Sequence, residues 1–310
     1  MTASGKVLHL ELGPGEGTSV FSNNIVTVGS EGRSETLASL LTGRTTRRSK
    51  RGFVTHTGKF NDVEVSVILI NMGFPNMDFL VREVRAVTTG PLRIIRLGSC
   101  AGLRPDLPVG TVAVATEGSL FISQNPDAWA EAGMTKSTNL DGSPANGHQH
   151  KAASREPYVF HGVADADEEL STVLLQELER SQAEGGGKVV GCLNASADSF
   201  YGSQGERGRA FQYCWKIYER RLDASFEDRN EDLVQDLLAR HPTVGSFEME
   251  TFHLLHLARL CRKSKLHASA ASIVLANRIT ADAITVDRIS QIERAAGEAA
   301  LRAVTSFESA

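Results

Sequence analysis

The stretch from Leu92 to Leu103 constrains the fold most strongly, because a short apolar run ends abruptly in the small residues of 98–102. This pattern is typical of a buried strand that leads into a tight loop where a ligand approaches the backbone. In open α/β sheets, ligands bind outside the carboxyl ends of the strands. Arg96 offers a planar set of donors to an oxyanion, and Ser99 adds a hydroxyl and an amide. Taken alone, the stretch also fits a structural turn with an arginine at the surface.

Predicted strands alternate with predicted helices over most of the 310 residues, and polar groups collect where the strands end. A strand at 25–28 precedes a helix at 34–41, for which Ser34 is the expected N-cap. A strand at 271–276 precedes the closing helix at 289–307. This order predicts a single α/β domain over residues 1–310, a three-layer α/β/α sandwich with a central mixed, mostly parallel sheet covered on both faces.

Two segments depart from this alternation. The basic cluster at 44–51 is expected to be a solvated loop. The stretch from about 123 to 154 is polar and lacks periodicity, which predicts an inserted surface loop. His148 and His150 within it lack neighbouring ligand residues, so we predict no metal site.

Composition excludes several classes of protein. The chain has 33 Lys and Arg against 37 Asp and Glu, a net charge of −4, which argues against a nucleic-acid surface. Its four cysteines form no CxxC pair, so neither a disulfide framework nor a zinc site is expected. No apolar run reaches the length of a membrane span, and no secretory signal is evident at the N-terminus. We therefore expect a cytoplasmic protein without a membrane partner.

Polar groups suited to ligand binding or catalysis follow three further predicted strands. Gly29 and Arg33 lie between a strand and a helix, where backbone amides and a guanidinium favour an anion, although an ordinary βα turn is the simpler interpretation. The loop at 194–207 mixes aromatic rings with Gln and Arg, which suit stacking on a planar heterocycle and hydrogen bonding to its edge. Glu248 and Glu250 stand at a predicted helix start, where the helix macrodipole alone accounts for carboxylates.

Five segments in order carry a family resemblance. They are V-G-S-E-G-R at 28–33, R-L-G-S-C-A-G-L at 96–103, S-F-Y-G-S-Q-G-E-R at 199–207, E-M-E-T at 248–251 and A-N-R at 276–278. On these segments the chain resembles the nucleoside phosphorylase family, and within it the members that cleave uridine. The resemblance extends from about His9 to the C-terminus and leaves out the loop at 123–154.

The resemblance implies a role for each matched residue. Phosphate is bound by Gly29, Arg33, Arg96, Ser99 and the Arg51 of a neighbouring subunit. Ribose is bound by Ser99, Met249, Glu250 and the neighbour's His9. The base is bound by Phe200, Gln204, Arg207, Glu248 and Arg278. Arg96, Glu250, Gln204 and Arg207 are the implied catalytic set. One extra residue lies between Gln204 and the next Arg compared with the family spacing, so either Arg207 or Arg209 is the base-reading arginine.

The implied reaction is the reversible phosphorolysis of uridine to uracil and ribose 1-phosphate, with deoxyuridine or thymidine as further candidate substrates. Inorganic phosphate is then a co-substrate, and no organic cofactor or metal is implied. A homodimer with shared sites is the expected minimum assembly. Two alternatives stay open: a purine nucleoside phosphorylase or nucleosidase of the same fold, and a non-catalytic nucleoside-binding protein. Asn277-Arg278 stands where purine-specific relatives commonly have an Asp, which favours a pyrimidine. The family's acidic residue after Gly29 is Ser30 here.

Overall fold

The computed structural model describes residues 5–132, 156–182, 187–204, 226–230, 232–280 and 282–307. In this part of the chain helices and strands alternate, apart from runs of two or three consecutive strands. The helices are α1 Gly17–Val20, α2 Glu31–Ala38, α3 Phe74–Val87, α4 Glu168–Gln182, α5 Leu233–Arg240, α6 Thr251–Leu260 and α7 Val286–Ser306. Two short 3-10 helices span Pro126–Ala132 and Gly202–Gln204.

Twelve strands in the described residues form one mixed sheet. They are β1 Asn24–Val28, β2 Thr42–Arg48, β3 Val54–Phe60, β4 Val63–Leu69, β5 Leu92–Gly102, β6 Val112–Val114, β7 Ser119–Gln124, β8 Tyr158–Ala164, β9 Val189–Gly191, β10 Leu193–Ala197, β11 Val244–Glu248 and β12 Leu266–Asn277. Neighbouring strands follow the order β2-β3-β4-β1-β5-β11-β10-β7-β8. Strand β12 pairs with β5 and β6, and β6 pairs in turn with β9. Six of these eleven pairings are parallel, which confirms the mixed, mostly parallel sheet.

The central strands are buried on both faces, because alternate side chains enter two separate cores. Ile95 and Leu97 of β5 face a layer formed by α2, α4 and α7. Ile94 faces the opposite layer, where α3 and α6 pack. Since successive side chains of a strand point to opposite faces, a continuous apolar run such as 92–97 is what a doubly covered strand requires.

Local differences from the sequence predictions have physical causes. Helix α2 begins at Glu31, and its cap is Ser30, whose hydroxyl accepts from the Arg33 amide; the prediction of Ser34 as cap is wrong, because Ser34 is buried inside the helix. The basic cluster is a strand rather than a loop over Thr42–Arg48, with every residue exposed. It is the edge strand next to β3, where charged side chains discourage pairing with other chains.

Of the surface loop predicted at about 123–154, residues 123–124 belong to β7 and residues 126–132 form a 3-10 helix. Residues 133–154 lie outside the described part of the chain, so the rest of the loop and the single-domain boundary stay predictions. Within the described residues, no helix is long and apolar enough to cross a membrane.

Candidate active site

The candidate site lies where strand β5 changes its neighbour. Residues 93–97 of β5 pair with β1 in parallel, whereas Ala101 and Gly102 pair with β11 in antiparallel fashion. Residues 98–100 between them pair with no described strand on that edge, although β12 pairs with them on the other. Such a change of neighbour opens a crevice at the carboxyl end of the central strands, which is where ligands bind in open α/β sheets. The prediction of a tight loop at 98–102 is therefore wrong, because pairing with β12 continues β5 as a strand to Gly102.

Arg96 of β5 is the cation at the centre of this crevice. It is 2% exposed, and its Nη2 lies 2.8 Å from Oε2 of Glu250. Its Nε and Nη1 are buried without a hydrogen-bond partner among the described residues. Buried N–H donors rarely lack a hydrogen-bond partner, so the geometry provides for an acceptor beyond the described residues. An oxyanion is the acceptor that a guanidinium binds best.

Gly29 lets the backbone after β1 approach Arg96 closely. A β-carbon at this position would lie 3.1 Å from Arg96 Nη2 and 3.2 Å from the carbonyl oxygen of Asn71. The space is therefore adequate for hydrogen and tight for any side chain. The close contacts alone therefore account for the glycine at this position, and no argument from its backbone dihedral angles is needed.

Arg33 approaches from the first turn of α2. Its Nη2 donates to Ser99 Oγ at 2.7 Å, and its Nη1 donates to the carbonyl of Leu97 at 3.2 Å. Nε and Nη2 also bind Oε1 of Glu293 at 3.0 and 2.7 Å. Burial lowers the pKa of Arg33, and the Glu293 carboxylate acts in the opposite direction. Two arginines, Ser99 and Gly29 thus meet in one place, although their positions in the sequence are far apart.

Glu250 is held at the start of α6 by two partners. Its Oε1 accepts the backbone amide of Gly73 at 2.6 Å, and its Oε2 pairs with Arg96. Burial acts to raise the pKa of Glu250, but Arg96 and the Gly73 amide outweigh it and hold the pKa below its usual value. Glu250 is therefore a fixed carboxylate beside the anion site. The predicted ribose ligand Met249 precedes it in the chain and is half-buried.

Glu248, at the end of β11, points into the protein. Its carboxylate oxygens accept the amides of Glu250 and Thr251, and Ser196 donates its hydroxyl to Oε1. Burial, with the charge of Glu250, raises the pKa of Glu248 to about 7. These contacts cap α6 and orient Glu250, so they give Glu248 a structural task beside the base contact predicted for it.

Asn277 at the end of β12 uses its side chain internally. Nδ2 donates to the carbonyls of Arg104 and Leu107, and Oδ1 accepts the amides of Ile279 and Thr280. It therefore holds two loops together and offers no group to a base. Arg278, the predicted base ligand, is half-buried, and its amide donates to the carbonyl of Gly102 beside the crevice.

The other predicted base ligands follow β10, with Phe200 before the short helix Gly202–Gln204 and the rest in or beyond it. Phe200 is 44% exposed and meets Tyr201 edge-on, with ring centroids 5.1 Å apart. The backbone of Gln204 ends the described stretch there. Arg207 and Arg209 lie outside the described residues, so the choice between them, and the base contact of Gln204, stay predictions.

His9 and Arg51 make none of their described contacts with the Arg96 crevice of their own chain. His9 stacks on Phe79 with ring centroids 3.6 Å apart, and its Nδ1 lies 2.6 Å from Oε1 of Glu83. Arg51 is exposed in the turn that joins β2 to β3. Their assignment to a neighbour's site is compatible with these positions and stays a prediction.

Two groups of the site were missing from the sequence analysis. Glu293 reaches Arg33 from α7, and the amide of Gly73 reaches Glu250 from the start of α3. For Glu293 the available signal was a carboxylate beside Ile292 and Ala296, on the apolar side of the predicted closing helix. For a backbone amide the sequence carries no signal. In the described residues, no group of three or more His, Cys, Asp or Glu side chains is arranged to hold a metal ion.

The fold is a mixed sheet covered on both faces, with an anion crevice where β5 changes its neighbour. The model of the phosphorylase superfamily matches residues 24–307, and the chain belongs to that superfamily. The expectation drawn from the five sequence segments is confirmed at this level.

Particular relatives are uridine phosphorylases. The uridine phosphorylase of Thermococcus kodakarensis is 27% identical over 230 residues, which are 74% of this chain and 64% of that protein. The uridine phosphorylase of Treponema pallidum is 32% identical over 92 residues, 30% of this chain and 35% of that protein. The matched stretches thus span less than two thirds of either relative.

Solved structures extend the similarity along the chain. A structure from a study of two uridine phosphorylases of the oomycete Phytophthora capsici is 36% identical, with a TM-score of 0.82 over 99% of this chain and 96% of that one. A nucleoside phosphorylase of Trypanosoma brucei is 19% identical, with a TM-score of 0.69 over 99% of each chain. This second likeness establishes the common fold only.

Proposed function

We propose that this protein is a uridine phosphorylase, which cleaves uridine with inorganic phosphate to give uracil and ribose 1-phosphate. The observation that carries the proposal is the set of N–H donors on buried Arg96 that no described residue accepts, beside a carboxylate that is already anchored. The P. capsici structure supports the nucleoside class, because it resembles this chain over nearly its whole length.

Cleavage of a glycosidic bond develops positive charge on the sugar and negative charge on the leaving base. In this scheme Arg96, with Arg33 and Ser99, holds a phosphate below C1′ of the ribose, where the anion stabilises the developing cation and then attacks it. The planar guanidinium groups of both arginines present N–H donors in an arrangement that matches the oxygens of a phosphate. Holding the two reactants in line removes an entropic barrier of roughly several kcal/mol.

Glu250 is assigned to the ribose hydroxyls, for which its fixed ionised carboxylate is an acceptor. Gln204 and Arg207 or Arg209 are assigned to the uracil carbonyl oxygens, where hydrogen-bond donors stabilise the charge of the departing base. Every step uses phosphate, substrate and side chains, so the proposal includes no organic cofactor or metal. The engaged side chain of Asn277 supports a pyrimidine, since that position presents no acid to a purine.

A homodimer completes the proposed site, with the neighbour's Arg51 at the phosphate and the neighbour's His9 at the ribose. The charges in the crevice favour a further cation from the neighbour, because each of the two buried arginines already faces one carboxylate, Glu293 or Glu250. A dianion therefore meets a site whose charges balance within one subunit, and an added arginine favours its binding. We propose a cytoplasmic location.

The decisive assay measures base release from uridine, deoxyuridine, thymidine and inosine, with and without phosphate. We expect uracil from uridine only when phosphate is present, with ribose 1-phosphate formed in equal amount. Base release from inosine alone would indicate a purine-specific phosphorylase of the same fold. Release without phosphate would indicate a nucleosidase, and binding without any release would indicate a nucleoside-binding protein.

A further inference from the structure

Arg33 is almost completely immobilised by contacts within the chain. A guanidinium has five N–H donors. Nε and one Nη2 hydrogen bind Glu293, the other Nη2 hydrogen binds Ser99, and Nη1 binds the Leu97 carbonyl. One Nη1 hydrogen is therefore left for a ligand, in contrast to Arg96 and its unpartnered Nε and Nη1.

The contact with Arg33 determines what the hydroxyl of Ser99 can do. An arginine only donates, so Ser99 Oγ is the acceptor in the 2.7 Å bond. The hydroxyl hydrogen of Ser99 is then directed away from Arg33 and is available as a donor. Among the described residues, no side chain or carbonyl accepts it. An oxyanion held by Arg96 on the same strand is the acceptor that the position fits.

Glu293 determines the orientation of Arg33 in turn. One carboxylate oxygen accepts from both Nε and Nη2, which fixes the plane of the guanidinium against the long helix α7. The Arg33 side chain is 4% exposed and that of Glu293 is 16% exposed, so water competes little for this pair. Without Glu293, Nε and one of the two Nη2 hydrogens have no described partner in the chain, and Nη2 keeps only its bond to Ser99.

We propose that Glu293 is a positioning residue of the anion site, which orients Arg33 so that Ser99 presents its hydroxyl hydrogen to the bound phosphate. The proposal rests on the proposed function for the identity of the anion. Glu293 itself contacts neither substrate, and it acts through Arg33. If Glu293 acts by orienting Arg33, removal of its charge alone leaves the KM for phosphate near the wild-type value. If it acts by its charge, the same removal changes the KM for phosphate.

The experiment compares Glu293→Gln, Glu293→Ala and a control, Glu298→Gln. Gln keeps an oxygen that accepts from Nε and Nη2 and loses the charge, whereas Ala loses both. Glu298 lies on the same helix and pairs with Arg302 at 2.8 Å on the surface, so its substitution tests the loss of a carboxylate from α7 outside the site. KM for phosphate, KM for uridine and kcat are measured for all four proteins.

We expect Glu293→Ala to raise the KM for phosphate by about tenfold, the effect of one mispositioned charge-assisted hydrogen bond, with the KM for uridine within about twofold of wild type. Glu293→Gln and Glu298→Gln should stay near wild type in both constants. Equal changes in both KM values, an unchanged KM for phosphate in Glu293→Ala, or a Gln variant as impaired as the Ala variant would each overturn the proposal.

A second measurement is independent of turnover. Inorganic phosphate that binds the folded protein raises its Tm, and the rise reports affinity. We expect this rise to be retained by Glu293→Gln and reduced in Glu293→Ala, even where the Ala variant has a lower Tm without phosphate. If wild type releases no uracil but shows the same pattern of Tm shifts, the proposed function fails and the role of Glu293 stands. Equal phosphate-induced shifts in all four proteins contradict the role of Glu293 whatever the activity.

Discussion

Arg96 and Glu250 form a buried ion pair, with Nη2 of the one 2.8 Å from Oε2 of the other. The two side chains come from β5 and from the start of α6, and each is at most 5% exposed. Glu250 contacts only Nη2 of Arg96, so Nε and Nη1 can bind an anion while Glu250 faces the sugar. The pair therefore connects the two halves of the proposed reaction, phosphate below the ribose and the ribose itself.

Removal of the charge at Arg96 tests this arrangement directly. We expect Arg96→Gln to lower kcat/KM for uridine phosphorolysis by about 10²- to 10³-fold, the range for loss of one preorganised donor group. Tm should also fall, because Glu250 becomes a buried carboxylate without its cation. Arg104→Gln is the control, since Arg104 pairs with Asp106 near the surface. A fully active Arg96→Gln enzyme would remove Arg96 from the mechanism.

The close approach of Gly29 gives a steric prediction. Its β-carbon in Gly29→Ala would lie 3.1 Å from Arg96 Nη2, so Arg96 must shift by a few tenths of an ångström. We expect the KM for phosphate to rise by about three- to tenfold, since such displacements weaken oriented hydrogen bonds. Gly32→Ala, which has open space around it in α2, should be indistinguishable from wild type. Equal kinetics for the two variants would contradict the crowded geometry at Gly29.

The pKa of Glu248 gives a prediction for stability against pH. Since this pKa is raised to about 7, the folded protein holds more protons than the unfolded chain between the ordinary carboxyl pKa of about 4.3 and pH 7. The contribution of Glu248 to the free energy of unfolding is therefore greatest at low pH. It falls as the pH rises through 7 and is constant at higher pH. Arg96 and Glu250 are the charged groups that act on it.

Glu248→Gln removes that titration. Denaturant unfolding of wild type and variant from pH 5 to pH 8.5 should give a difference, wild type minus variant, that decreases as the pH rises and becomes constant above about 7.5. Comparison of the two proteins cancels the contributions of groups that do not interact with Glu248. A difference that stays constant, or grows with pH, would show that Glu248 does not titrate in this range.

Shared sites are testable by mixing inactive subunits. Glu250→Ala and Arg51→Ala lie in different halves of the proposed composite site, so a heterodimer of the two variants contains one site with neither change. After joint unfolding and refolding, about a quarter of the wild-type activity should return, because half of the random dimers carry one intact site. A mixture of Glu250→Ala with Arg96→Gln is the control and should stay inactive, since both residues come from the same subunit. Failure of the first mixture to gain activity would argue against Arg51 acting on a neighbour.

The amino-acid sequence by itself determined the alternation of strands and helices, the buried run of β5 and the position of Arg33 shortly after β1. These follow from local rules, because apolar periodicity and small residues act within a few positions of each other. The sequence did not determine that β5 continues to Gly102, so that Arg96 and Ser99 lie within the strand rather than at its end. The family resemblance added the grouping of these residues around one anion.

Only the tertiary structure decided which side chains support them. Glu293 lies 260 positions from Arg33, and no local pattern pairs two residues at that separation. The exposed strand at Thr42–Arg48 also depended on a partner strand, since its polar composition favours a loop when taken alone. The anion crevice itself arises where β5 leaves β1 for β11, and the order of strands in a sheet depends on long-range packing that local sequence does not encode.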